Sequence, residues 1–310
     1  MKGRLKQALW SVSPSLFRLL SKPAQGQTFS IGVYTGQSPL SLTSPDRTTN
    51  PVLTSQDVTD VPAEFVADPF MVRDGDRWYL FFEVMNSATR RGEIAVATSG
   101  DGYAWKYARS VLREPFHLAY PYTFRYKDTF YLVPDTPDQG ARLYRAIDFP
   151  VRWEFVHTLV HGGRFSDSSI FEFDGDWWML TAWSAGRSIR KSLRLFFADE
   201  PIGPWQEHPA SPVLRANARR SRPGGRVVAV DGAPVRFAQD GFPEYGSSVR
   251  AFKITRLNRH AYAERELASS NPVLRADENG TGWNSGGMHH LDAHQLGTGN
   301  WIGYVDGWYT

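Results

Sequence analysis

Apolar and polar residues alternate along most of this chain in short runs, broken by turns that carry Asp, Asn, Gly or Pro. That is the period of half-buried strands, not of helices. Three stretches can be laid over one another: Asp68-Pro-Phe-Met-Val-Arg-Asp-Gly-Asp-Arg-Trp78-Tyr-Leu-Phe-Phe, Tyr120-Pro-Tyr-Thr-Phe-Arg-Tyr-Lys-Asp-Thr-Phe130-Tyr-Leu-Val-Pro and Asp167-Ser-Ser-Ile-Phe-Glu-Phe-Asp-Gly-Asp-Trp177-Trp-Met-Leu-Thr. Each predicts a strand, a tight turn and a second strand rich in aromatics, which together make a β-hairpin. A third apolar run follows each hairpin (EIAVATS, ARLYRAID, LRLFFAD), then a Trp (Trp105, Trp153, Trp205), then a short strand ending in SVL, TLV or SPVL.

Four antiparallel strands that recur in this way describe propeller blades. A fourth unit reads RVVAVDGAPVRFAQD for the hairpin, VRAFKITRL for the third strand and NPVL at 271–274 for the last. The fifth is divided between the chain ends. HHLDAHQLGTGNWIGYVDG supplies a first and second strand, while TFSIGVYTG and NPVL at 50–53 supply a third and fourth. The expected fold is therefore all-β, a five-bladed β-propeller over residues 27–310. Residues 28–54 pair with 287–307 to close the ring, which removes open sheet edges. The least regular insert is 215–226, where Arg215, Arg219, Arg220, Arg222 and Arg226 surround Pro223-Gly-Gly.

Residues 1–26 differ from the rest. Leu5, Ala8, Leu9 and Val12 recur at helical spacing, Pro14 interrupts, and Leu16, Phe17, Leu19 and Leu20 follow among Lys2, Arg4, Lys6, Arg18 and Lys22. The expectation is a basic amphipathic leader that frays or packs on the propeller, with contact between residues 1–22 and a membrane surface as the alternative. Arg18 and the lack of a small-residue cleavage site argue against a signal peptide, and no apolar run reaches the 18 or so residues needed to span a bilayer. The expected location is the cytoplasm or the periphery of its membrane.

Composition narrows the choice of function. The chain has 35 Lys plus Arg against 32 Asp plus Glu, a net charge of +3, which gives no general attraction for nucleic acid. With no Cys, thiolate nucleophiles, disulfides and Cys-ligated metals are excluded. The 11 Trp, 13 Tyr and 19 Phe can bury a large core.

In a propeller the innermost strands line a central channel, so the residues leading them converge. Those leaders are Asp68, Tyr120, Asp167, the region of Arg222, and His289 or His290. A single Asp at a strand start can be a turn cap, but two at one register point to a site. Paired carboxylates can hydrolyse a glycosidic bond, one activating water or attacking and the other protonating the leaving oxygen. His290, Asp292 and His294 share one face of a strand and raise a metal reading. The plainer alternative, one His facing the channel and the others solvated or hydrogen-bonded, is preferred, so no protein metal site is expected. Glu114, His117 and Tyr120 in EPFHLAY form a second cluster at the rim, which a structured interblade loop would also explain.

The stretches SIGVYTGQSPLSL, NPVLTSQDVTDVPAEFVADPFMV, FFEVMN, GEIAVATSGDG, EPFHLAYPY, RLYRAIDFP, FAQD and YGSSVRAF resemble the N-terminal domain of the plant glucosamine inositolphosphorylceramide transferases and its free-standing bacterial relatives. That domain is in turn similar to the five-bladed propellers of glycoside hydrolase families 43 and 32. The resemblance implies that Asp68 in ADPF is a general base and that Asp167 in FSDSSIF is a carboxylate that orients and tunes the acid. Family 43 places the acid, a Glu, at the head of blade four, where this chain reads SRPGGR and offers Arg222. Either another carboxylate then donates the proton or the activity differs; among the candidates Glu83 and Asp135 lead, being on second strands, with Asp240, Glu244 and Asp306 behind them. Glu83 joins Asp68 and Asp167 in the expected catalytic set. Glu114, His117, Tyr120, Asp135, Arg222, Asp240, His289 and His290 are the expected substrate contacts. Arg222 would favour an anionic glycan or glycolipid headgroup. No cofactor is required, although the resemblance allows a water-coordinated, calcium-like ion in the channel. Two functions follow: an enzyme that breaks or transfers a glycosidic bond, or a catalytically silent propeller that binds a glycan or glycolipid headgroup for a partner glycosyltransferase.

Overall fold

A computed structural model describes residues 26–186 and 191–310, so the leader expected over 1–26 lies, apart from Gly26, outside the described residues. The described chain is strand and loop, and it contains no helix. Strand β1 (Thr28–Gly36) belongs to the closing blade. β2 (Ala63–Asp74), β3 (Arg77–Asn86), β4 (Arg91–Ser99) and β5 (Lys106–Leu112) form blade one in that order. β6 (Ala119–Tyr126), β7 (Thr129–Asp135), β8 (Ala141–Asp148) and β9 (Arg152–Val160) form blade two. β10 (Arg164–Phe173), β11 (Asp176–Ser184), β12 (Ser192–Ala198) and β13 (Gln206–Glu207) form blade three.

Blade four departs from the expected plan. Its innermost strand is divided into β14 (Arg222–Pro223) and β15 (Val228–Val230), both paired with β16 (Ala233–Asp240). β17 (Ser248–Asn258) follows, and its outer partner is β18 (Ala261–Glu266), from the mostly polar stretch AYAERE. The NPVL segment contributes only the start of β19 (Leu274–Arg275), opposite Ser248 and Val249. In the closing blade, β20 (Leu291–Gln295) pairs with β21 (Trp301–Tyr309), and β21 pairs with β1 in register from Thr28↔Tyr309 to Gly36↔Trp301. Leu53 then bridges to Ile31 as the fourth strand. The five sheets make a five-bladed propeller whose ring is closed by this joint blade.

The innermost strands meet around the axis. β2 packs on β6 and β20, β10 packs on β6 and β14, and Gly225 bridges in parallel to Leu291. Gly225 lies at φ +127°, and a Cβ there would fall 1.8 Å from the Leu291 carbonyl oxygen, so only glycine allows the two strands to approach so closely. Its carbonyl accepts from Tyr120 Oη (3.1 Å) and Ser169 Oγ (2.8 Å), tying blades two, three and four together at the centre. Phe70 fills the axis beside them, its ring 4.7 Å from Tyr120, 5.1 Å from Tyr122 and 4.6 Å from His290.

Each of the first three innermost strands breaks register at the same place, between Ala67 and Phe70, Ala119 and Tyr122, and Ser166 and Ser169. At these bulges Asp68, Tyr120 and Asp167 take left-handed backbone conformations, with φ of 54°, 46° and 55°. For residues other than glycine this costs about 1–2 kcal/mol each. The bulges turn the leading side chains out of the ladder and toward one end of the channel.

Candidate functional site

The leaders form a linked set at this mouth. Asp68 N–H donates to Asp306 Oδ2 (3.0 Å), and Tyr120 N–H donates to Asp68 Oδ2 (3.2 Å), so a carboxylate of the closing blade holds the strained backbone of blade one and a carboxylate of blade one holds that of blade two. His289 Nδ1 is 2.7 Å from Asp306 Oδ1, and its Nε2 faces Asp68 Oδ1 at 3.7 Å. His290 Nδ1 is 3.6 Å from the same Asp68 oxygen. Across the channel, Arg222 Nε donates to Asp167 Oδ2 at 2.5 Å.

Glu83 and Asp135 occupy equivalent second-strand positions, opposite Ala67 and Ala119, the residues just before the leaders. Gly92 N–H donates to His117 Nδ1 (2.8 Å), which leaves the Nε2 proton facing Glu83 Oε1 at 3.6 Å. Asp68 Oδ1, Glu83 Oε1, Asp135 Oδ1 and both ring nitrogens of His290 are buried without a hydrogen-bond partner in the protein.

Burial dominates the electrostatics. It pushes Asp68 up to about 7, with His289 pulling down and Asp306 and Asp167 pushing further up. It pushes Asp135 up to about 8, with Asp167 adding and Lys191 opposing. Glu83 is raised well above the ordinary carboxylate range by burial and then by Asp68 and Asp135. Asp306 goes the other way: burial works against its ionisation, but the charge and hydrogen bond of His289 outweigh it. His289 is correspondingly raised despite its burial, held by Asp306. Burial lowers His290 to about 4, so it is neutral at ordinary pH. The mouth thus sets Asp68, poised near neutrality where it can accept a proton, beside Glu83, raised further so that it can donate one, the separation of roles that acid–base chemistry needs.

The other expected residues fall into separate groups. Tyr120 is fully buried, and its hydroxyl is taken up by Ser169 and Gly225 on the axis, so it supports the mouth from below. Glu114 accepts from Tyr144 Oη (2.7 Å) and lies 3.9 Å from Arg142, within blade two. Asp240 accepts from Phe242 N–H (3.1 Å) and pairs with Arg250 (3.4 Å), anchoring the loop that follows β16. Glu244 is exposed and lines a cavity of about 250 Å³ beside the mouth, together with Lys191, Arg222, Gln239 and Tyr245. Gln239 is buried and its Oε1 has no partner, while Arg222 lies under the partly exposed Tyr245 ring at 5.1 Å.

His290, Asp292 and His294 do not converge on one point. His290 faces Asp68, whereas His294 Nε2 bonds Asp292 Oδ2 (2.7 Å), which also accepts from Arg226 Nε through Oδ1 (2.8 Å). Lys191 is a site residue that sequence reasoning passed over. It bonds Ser166 Oγ, and burial followed by the Arg222 charge lowers its pKa. Nothing in its local sequence, RKSLRLFF, sets it apart from other surface lysines.

Among the described residues one group could hold a cation: atoms of Asp68, His289 and Asp306 lie within 4.8 Å of one another. Two carboxylates and one nitrogen are fewer oxygens than the six to eight that calcium takes, so an ion here would keep most of its ligands as water.

Residues 21–308 match the family described as "Glucosamine inositolphosphorylceramide transferase 1, N-terminal". The chain is 34% identical over 323 residues to glucosamine inositolphosphorylceramide transferase 1 of Oryza sativa subsp. japonica, covering 96% of this chain and 43% of that protein. It is 35% identical over 302 residues to the protein of the same name from Arabidopsis thaliana, covering 90% and 39%. The chain therefore spans about two fifths of the length of these relatives. Among solved structures, it resembles a β-1,2-mannobiose phosphorylase from Listeria innocua (TM-score 0.62, 12% identity, 88% of this chain and 96% of that one). It also resembles the catalytic domain of a family 62 α-L-arabinofuranosidase from Coprinopsis cinerea (0.57, 14%, 78% and 90%) and a family 117 glycoside hydrolase from Zobellia galactanivorans (0.52, 13%, 90% and 90%). At these identities the likeness is one of fold. By the family match over nearly its whole length, and by relatives more than 30% identical, the chain belongs to the family of glucosamine inositolphosphorylceramide transferase 1 N-terminal domains.

Proposed function

We propose that the channel mouth binds an anionic glycan, in the form of a glycolipid headgroup, and acts on its glycosidic bond. The observation that carries this reading is the set of buried, unpartnered atoms Asp68 Oδ1, Glu83 Oε1 and Asp135 Oδ1 around one opening. Each such atom costs about 1–3 kcal/mol while unsatisfied, and a ligand dense in hydroxyls satisfies several at once. Lys191 in the adjoining cavity supplies positive charge, Arg222, already paired with Asp167 through Nε, lends further N–H donors, and Gln239 Oε1 supplies an acceptor. The relatives' printed name points to inositol phosphate as the headgroup chemistry.

In the reaction, Asp68 takes a proton from a water or acceptor hydroxyl as that oxygen attacks the anomeric carbon. The glycosidic C–O bond breaks, and Glu83 gives its proton to the leaving oxygen. Asp167, fixed by Arg222, stays in place and adds to the burial that raises Glu83.

The second reading is a silent propeller that presents the headgroup to a partner transferase. It is favoured by Arg222, which stands at the head of blade four already neutralised by Asp167. A turnover screen separates the two, using furanosides, uronate oligosaccharides and inositol-phosphate glycolipids with wild type, Asp68→Asn and Glu83→Gln. The enzyme reading expects turnover to fall about 10²–10⁴-fold in each variant with affinity retained. Retention of a glycan by wild type with no cleavage of any substrate would support the presenting role. Cleavage at the wild-type rate by Asp68→Asn would remove Asp68 from the chemistry.

A further inference from the structure

At the opposite end of the channel, where the hairpins of blades one and two turn, lies a cavity of about 400 Å³. It receives the same pair of residues from two successive repeats. Arg73 lies over Trp78 (4.7 Å to the ring centre), and Arg125 lies over Phe130 (5.5 Å). Both arginines stand five residues after a leader, Asp68 or Tyr120, and both rings stand ten after it. Blade three has Glu172 and Trp177 at these positions, so the arrangement belongs to this cavity and not to the repeat as such. A third guanidinium, Arg226, and the imidazole of His294 line the cavity with them, both bonded to buried Asp292.

Three guanidiniums line the cavity and, among the described residues, no carboxylate does. Arg226 is matched by Asp292, but Arg73 has no carboxylate partner among the described residues. Arg125 meets Asp74 at 3.6 Å and Asp128 at 3.5 Å, pairs between exposed side chains that contribute little and exchange readily with another anion. Stacking on a ring fixes the plane of a guanidinium, the arrangement suited to bidentate recognition of an oxyanion; the fork of Arg73 has no carboxylate among the described residues, and at Arg125 a bound oxyanion would replace the exposed contacts to Asp74, Asp128 and the Lys127 carbonyl. Met71, Phe124 and Leu296 supply apolar wall between the two stacks.

We infer that this cavity is a second ligand site, separate from the mouth, for a small organic oxyanion that joins a phosphate or carboxylate to a ring or apolar group. The charged end lies between Arg73 and Arg125, and the apolar end lies along Trp78 and Phe130.

The test is calorimetric titration of the chain with phenyl phosphate, benzoate and phenol at low salt. At least one of the two anions should bind saturably, and the comparison between them tells which oxyanion is preferred. Affinity should fall at least about ten-fold in the Arg73→Ala/Arg125→Ala variant and stay unchanged in Lys191→Ala, which removes a cation from the mouth. Both arginines are solvent-exposed, so the double variant should fold, as an unchanged melting temperature would show. The inference fails if neither anion binds, if phenol binds as well as they do, or if the double variant binds like wild type. It also fails if Lys191→Ala abolishes binding, since the ligand would then be in the mouth.

Discussion

Arg222 and Asp167, one from the head of blade four and the other from the bulge of blade three, meet through Nε and Oδ2 at 2.5 Å. The carboxylate side chain is 2% exposed and the guanidinium 23%, so the pair is held in a largely dry setting. Its position matters more than its strength. The pair closes the head of blade four, while burial, with the neighbouring carboxylates adding to it, raises Asp68 to about 7, Asp135 to about 8 and Glu83 well above the ordinary carboxylate range.

Removing one member of such a pair strands the other. Arg222→Met should destabilise the chain by about 3 kcal/mol at pH 7, because the buried Asp167 charge loses its partner. The double variant Arg222→Met/Asp167→Asn should recover most of that loss. Urea midpoints for the two single variants and the double variant check this, and additive losses would contradict it.

Asp135 gives a pH signature. Burial and the Asp167 charge raise it from 3.8 to about 8. Between those values the folded chain holds a proton that the unfolded chain has released, so raising the pH favours unfolding. Asp135→Asn removes this penalty. At pH 8 the variant should be more stable than wild type by about 1–3 kcal/mol, and the advantage should vanish near pH 4, where both side chains are neutral. Denaturant midpoints across this range read the effect directly. An advantage that grows toward pH 4 would mean that Asp135 is held ionised.

Ring closure is equally testable. Deleting residues 301–310 removes the middle strand of the closing blade and leaves β1 and β20 without their partner. The two exposed edges should abolish cooperative folding and promote aggregation. A truncated chain that melts like the full one would contradict the closure.

The sequence made the repeat legible because alternation and the turn residues recur at fixed offsets from Asp68, Tyr120 and Asp167. The same offsets marked Glu83 and Asp135 as channel neighbours. What it hid depends on long-range pairing. Asp306 stands among the candidate acids by sequence, but its partners are not legible there, and only the fold brings it to His289 and to the backbone of Asp68. Lys191 gains its role from burial beside Arg222, which no local pattern records. β18 was missed because AYAERE is short and mostly polar, the composition of an outer strand facing water. The partners of Glu114 and Asp240, Tyr144 and Arg250, were not legible in the sequence because they come from other strands.

The measurement that tests the central claim most directly is a crystal structure of the Asp68→Asn variant soaked with the inositol-phosphate glycolipid of the turnover assay. Asn keeps the shape of the site while stopping proton abstraction. The account predicts a sugar ring at the mouth, with hydroxyls within hydrogen-bonding distance of residue 68, Glu83 and Asp135, and the anionic group beside Arg222 and Lys191. A glycan seated elsewhere on the propeller, with those carboxyls still unpartnered, would contradict it.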